Sequence, residues 1–150
     1  MGTRADFYSG RGDSAEWLGS IAWDGYPSGV FEGAELMLDS AVTLNEADWR
    51  KWVAEFLAGR SDATLPEGGW PWPWEDSRLT DCVYAWDGGK VWQAAGHPER
   101  WYPVNPDADC YGLPCDEDDP GDGPLATFPN MKDRQNVTFG PRSGVFIVGG

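Results

Sequence analysis

The chain has 150 residues, with 25 Asp and Glu against 11 Lys and Arg, for a formal charge of -14. That length suits one ordinary domain with its own core, and the charge is wrong for a protein that grips nucleic acid or an anionic membrane through cationic side chains. Ten Trp and an aromatic fraction of 14% exclude a disordered acidic tail, because such tails are poor in aromatic residues.

Positions 4–26 carry Phe7-Tyr8 and the run Trp17 to Trp23 on either side of Gly10-Arg11-Gly12-Asp13. This predicts two strands joined by a loop, with Trp17, Ile21 and Trp23 on one face. Asp24-Gly25, which tolerates positive φ, ends the second strand. Val30, Phe31, Ala34, Met37 and Leu38 recur at helical spacing, in a helix weakened by Gly33. Thr43 and Glu46 stand at capping-box spacing ahead of Trp49, Trp52, Val53, Phe56 and Leu57, which predicts a helix over 44–58 with one buried face and Gly59 as its C′ residue.

From Leu65 to Trp74 the chain reads LPEGGWPWPW, and its prolines favour extended polyproline II. Asp81–Trp86 and Lys90–Ala94 flank Asp87-Gly88-Gly89, a strong hairpin signal. Ala-Trp-Asp-Gly thus occurs twice, at 22–25 and 85–88, read as two similar strand ends rather than a repeat. An irregular acidic Pro/Gly-rich loop is expected at about 103–127, with 7 of the 25 acids between 107 and 122. The tail changes sign: Lys132, Arg134 and Arg142 against Asp133 give +2 for 132–150. Residues 137–139 and 145–148 read as a last hairpin. The expected fold is a single α+β domain over 1–150, a mixed or mainly antiparallel sheet with two helices packed on one face and long irregular loops.

Candidate chemistry is sparse. The single histidine, His97, sits in Gly96-His97-Pro98-Glu99, without a Gly-x-Ser-x-Gly elbow or a nucleophilic cysteine signature elsewhere. Cys110 and Cys115, with distant Cys82 and His97, do not follow zinc-site grammar. Asn105, Asp107, Asp109 and Asp116 imitate part of an EF-hand loop, but Cys110 stands where glycine is required, and a solvated acidic loop is the plainer account. A glycosidase needs two carboxylates facing each other across a cleft, a geometry that no linear spacing here implies. No cofactor or metal is expected. Arg11-Gly12-Asp13 and the Asn136-Val137-Thr138 sequon need an extracellular setting, and the N-terminal residues do not read as a secretory signal. The reading is therefore cytoplasmic, with all three cysteines as thiols and no membrane association.

Two features stand out. Trp70-Pro71-Trp72-Pro73-Trp74, with Glu75 and Asp76, presents three rings on a stiff backbone, and Trp is enriched at interface hot spots. The bland account is that the rings lie on the sheet and cover a core edge. The acidic excess, densest at Asp107, Asp109, Asp116, Glu117, Asp118, Asp119 and Asp122, is either plain solubility or a surface imitating a phosphate array before a basic partner.

The segments RADFYSGRGDSAEWLGSIAWDGYPSG (4–29), ATLPEGGWPWPWEDSRLTDCVYAWDGGKVW (63–92) and FPNMKDRQNVTFGPRSGVFIV (128–148) resemble a family of small uncharacterised proteins encoded in phages and prophages of proteobacteria. The resemblance implies a bacterial host and a phage-borne accessory gene, and it assigns no functional residue. Residues 105–124 are the least family-like part. With that setting, the expected function is a non-enzymatic inhibitor that binds the basic surface of a host defence or nucleic-acid-handling protein, of anti-CRISPR or anti-restriction type, and that acts as a nucleic-acid mimic without touching nucleic acid itself. The alternative is a small-ligand module, such as a nucleotide-signal sponge, in which Trp rings stack a base and Arg78, Lys132, Arg134 and Arg142 converge on phosphate. A carboxylate- or metal-dependent hydrolase comes third.

Overall fold

The computed structural model describes residues 3–12, 14–39, 41–95, 100–104 and 128–131. Its frame is a six-stranded mixed sheet in the order β3-β2-β1-β4-β5-β6, made of β1 (Ala5–Ser9), β2 (Glu16–Ile21), β3 (Ala63–Thr64), β4 (Cys82–Asp87), β5 (Lys90–Ala95) and β6 (Tyr102–Pro103). The central pair β1 and β4 is parallel, and all other pairings are antiparallel. The α+β architecture and the predicted 81–94 hairpin are therefore present. Of the loop expected at about 103–127, Pro103 instead ends β6, while residues 105–127 and the 137–148 hairpin lie outside the described residues.

The β1–β2 register shifts between Phe7 and Tyr8, so that Phe7 faces Gly19 while Tyr8 faces Trp17. One extra residue on β2 inverts the side-chain alternation. Trp17 consequently packs on one side of the sheet and Ile21 on the other, which corrects the expectation that Trp17, Ile21 and Trp23 share a face. Trp23 lies beyond the strand and is 54% exposed. The bulge closes on Gly19 (φ 145°), where an added Cβ would collide with Leu57 Cδ1.

One face of the sheet carries the helices α1 (Pro27–Val30) and α2 (Glu46–Ala58). Along α2, Trp49, Val53 and Leu57 recur every four residues and are buried over Phe7, Ile21 and Tyr84. An aromatic run joins the layers: Phe31 stacks on Trp52 at 5.2 Å, Trp52 on Phe56 at 5.1 Å, and Phe56 lies 5.7 Å from Phe7. The α2 cap is Asn45, whose side chain accepts from the Asp48 amide at 2.7 Å. The predicted Thr43–Glu46 box does not form, because Asn45 is the N-cap and Glu46 therefore stands at N1 rather than at N3. Gly59 ends the helix with φ -87°, outside the left-handed region expected of a C′ glycine. The helix predicted over 30–38 is interrupted at Gly33 (φ 81°), leaving α1 and a 3-10 turn at Glu35–Leu38. A polar exception on this face is Gln93 of β5, buried with neither amide atom bonded to another described residue.

The opposite face is covered differently, with the 3-10 turn Ser77–Leu79 lying against it. Tyr8, Trp17, Val83, Ala85 and Ala94 are covered there by Trp101, Phe128, Met131 and partly buried Trp70 and Trp92. Within the predicted polyproline segment, Pro66–Gly68 is a 3-10 turn, and the chain from Trp70 to Trp74 then crosses this face irregularly.

Candidate functional site

The most constrained polar constellation is centred on a residue that sequence reasoning passed over. Asp6 points from the middle of β1 into the face opposite the helices and is fully buried. Its Oδ1 accepts from the Ser20 hydroxyl at 2.6 Å and the Trp72 indole N–H at 2.7 Å; its Oδ2 accepts from Ser77 at 2.6 Å and Thr80 at 2.7 Å. A second layer supports these donors, with Trp17 Nε1 donating to Ser20, Trp74 Nε1 to Thr80 at 3.4 Å, and Tyr8 bonded to Ser77 at 2.7 Å. Burial pushes the Asp6 carboxyl above its usual range, while the four donors pull it back. All four donors are directed at a fully buried carboxylate, and Asp6 is enclosed among the described residues.

The Trp70–Trp74 motif belongs to this constellation. Trp70 Nε1 bonds the Trp74 carbonyl at 2.8 Å and its ring meets Trp17 edge-on at 5.0 Å; Trp72 stacks on Trp74 at 5.8 Å. Arg4 closes the layer from outside, its guanidinium 4.5 Å from the Trp74 ring and 5.6 Å from Trp72. All three rings are half-buried with their N–H groups spent inside the chain. Glu75 accepts from Asn130 at 3.0 Å, and its carbonyl takes the Met131 amide; Asp76 caps the 77–79 turn. This segment is therefore a strap holding the sheet's second face, the arrangement the bland sequence account describes.

The charge is organised differently. Five arginines are paired with the chain's own acids: Arg4 with Asp81, Arg11 with Asp87, Arg50 with Glu16 and Glu46, Arg60 with Asp62, and Arg78 with Asp76. Hydrogen bonds from Arg50 hold the Glu16 carboxyl below its usual range, and the Ser9 hydroxyl followed by Arg50 does so for Glu46. Among the described residues, Glu16, Asp24, Glu32, Asp39, Glu46, Asp48, Glu55, Glu67 and Glu75 are exposed, against Lys51, Arg78 and Lys90. The outer surface is thus strongly negative.

Arg78, proposed for phosphate, is 71% exposed and turned to Asp76 at 3.2 Å. Lys132, Arg134 and Arg142 lie outside the described residues, as do His97 and the acids Asp107, Asp109, Asp116, Glu117, Asp118, Asp119 and Asp122. Among the described residues no three His, Cys, Asp or Glu side chains gather as a metal site requires, and no helix is long and apolar enough to cross a membrane. Cys82 is disulfide-bonded, which corrects the expectation of three thiols: its side chain is fully buried in β4, and its partner lies outside the described residues. The sequence signal for Asp6 was available as a lone carboxylate inside the otherwise apolar and hydroxylic strand ADFYS, with Ser and Thr clustered at 77–80. No family model, curated protein or solved structure matches the chain.

Proposed function

We propose that the protein is a non-enzymatic acidic binder that occupies a basic surface on another protein and blocks it, the target being a nucleic-acid-handling or defence protein of a bacterial host. The observation that supports this reading is the distribution of charge. Five arginines are paired with neighbouring carboxylates, and exposed acids outnumber exposed cations among the described residues, so the surface is suited to steer towards a cationic groove. The phage setting enters from the sequence resemblance alone.

The binding role given to Trp70, Trp72 and Trp74 changes under this reading. Their N–H groups are engaged internally, so they support the surface rather than reach out from it. The test is affinity capture from host lysate as salt is raised from about 0.1 M to about 1 M, over which the Debye length falls from about 10 to about 3 Å. A basic protein should be retained at low salt and released at high salt, and a chain with Asp107, Asp109, Asp116, Glu117, Asp118, Asp119 and Asp122 changed to amides should retain less of it. A captured protein that is not basic, or whose retention ignores both salt and these substitutions, overturns the reading.

A further inference from the structure

Most of the tryptophans look inward. Trp17, Trp49, Trp70, Trp72, Trp74, Trp86 and Trp92 all donate their indole N–H within the chain. Trp23 differs, with 54% of its surface exposed, and neither a ring partner nor a cation covers it among the described residues. The two Ala-Trp-Asp-Gly copies make the contrast sharp. In the second, Trp86 packs against the helix-face core and donates to the Leu44 carbonyl at 2.6 Å; in the first, Trp23 is turned to solvent.

The backbone that presents Trp23 is held from several sides. Asp62 Oδ2 accepts from the amides of Ala22 at 3.0 Å and Trp23 at 2.8 Å. Arg60 grips both oxygens of Asp62 and donates to the Trp23 carbonyl at 2.8 Å. The Gly25 amide bonds the Thr3 carbonyl at 2.8 Å, and the Tyr84 hydroxyl donates to the Gly25 carbonyl. Between these anchors Asp24 has φ 58°, the one non-glycine residue with positive φ among those described. Such a conformation persists where its surroundings over-determine it, and it recurs at ligand clamps. An exposed indole on a rigid loop loses little entropy on binding, which is what makes a tryptophan an effective anchor.

The chemistry of the occupant follows from what this chain does elsewhere. Its own arginines cap aromatic faces beside a carboxylate: Arg11 lies 4.1 Å from the Trp92 ring while bonded to Asp87, and Arg4 lies 4.5 Å from Trp74 while paired with Asp81. At Trp23 no cation lies over the ring among the described residues, and an exposed carboxylate, Asp24, follows it; the nearby Arg60 stacks on Phe56 at 5.3 Å, is bonded to Asp62 and acts on Asp24 only through longer-range attraction. We infer that Trp23 and Asp24 form a receptor for an arginine or lysine side chain of the partner protein, the cation stacked on the indole and charge-paired to the carboxylate. This rests on the proposed acidic-binder reading and names its anchor.

The experiment is an NMR titration of the intact chain with a short oligo-arginine peptide, following the indole N–H signals, with Trp23 identified from Trp23→Phe. The Trp23 and Asp24 signals should shift early and saturably, and affinity should fall at least tenfold in Trp23→Ala and severalfold in Asp24→Asn. Trp23→Leu should not rescue it. Binding that perturbs α2 carboxylates such as Asp48 and Glu55 but leaves Trp23 unmoved overturns this inference while sparing the acidic-binder reading. Full affinity in Trp23→Leu also overturns it, by showing an apolar plug instead. No binding at low salt overturns both.

Discussion

The two faces of the sheet are built on different principles. The helix face is held by many overlapping aromatic and aliphatic contacts, in which Trp49, Trp52, Phe31, Phe56, Phe7 and Tyr84 form one continuous cluster. The strap face has an apolar cluster of its own, and at its centre one carboxylate, Asp6, collects donors from β2, Trp72 and the 77–80 turn. Apolar packing is non-directional and tolerates loss by degrees, whereas a buried carboxylate network is satisfied as a unit or leaves several polar groups stranded. Loss of one contact on the helix face should weaken the whole molecule, and loss of one atom on the strap face should loosen a region.

Trp49→Ala is the largest expected effect. It removes a fully buried ring together with the N–H bond to the Tyr8 carbonyl, so about 3–5 kcal/mol should be lost and both faces should unfold together in denaturant. Hydrogen exchange in which 46–58 opens while the strap stays protected would break the comparison.

Asp6→Asn follows. The amide nitrogen cannot accept the two hydroxyl protons that one carboxylate oxygen now takes, and about 2–4 kcal/mol is expected, concentrated in faster exchange over 70–80. Its pH dependence has a distinct sign. A carboxyl whose folded pKa is raised makes the wild type less stable as pH climbs from the unfolded value through the folded one, so the gap between wild type and Asp6→Asn should widen on acidification. Asp62 behaves oppositely: burial raises it, but the Arg60 hydrogen bond and the Trp23 amide bring it below its usual range. Its stabilisation is present above about pH 4 and lost as pH falls through the folded value, so the advantage over Asp62→Asn should shrink on acidification. Melting temperatures of the three proteins from neutral to acidic pH separate the two slopes, and parallel slopes would refute the assignment.

Trp72→Phe is the smallest change, keeping a ring while removing one donor from Asp6. About 1 kcal/mol is expected, with exchange raised in 70–76 and unchanged in 46–58. An equal effect on both segments would show that the strap is not a separate unit.

Much of this frame was readable before folding was considered, because it depends on local patterns. The period of Trp49, Val53 and Leu57 marks a helix, and Asp87-Gly88-Gly89 between two apolar runs marks a hairpin. The candidate site was legible only in part. The acidic surface follows from composition, but Trp70–Trp74 reads alike as an exposed anchor or a covering strap, since aromatic rings on a stiff backbone serve either use. Asp6 was passed over, and Trp23 was read onto a shared strand face, for the same reason: each stands in a short segment whose meaning is set by residues 14 to 74 positions away.

The sequence by itself determined the sign of the surface, α2 and the β4–β5 hairpin, all consequences of composition or of spacing within one element. The tertiary structure alone decided which tryptophans face inward. A single-residue bulge in β2 inverts the side of Trp17, a carboxylate from β1 captures Trp72, and the Arg60–Asp62 pair fixes the outward turn at Trp23. These outcomes depend on register and on long-range hydrogen bonds, and no local propensity encodes either.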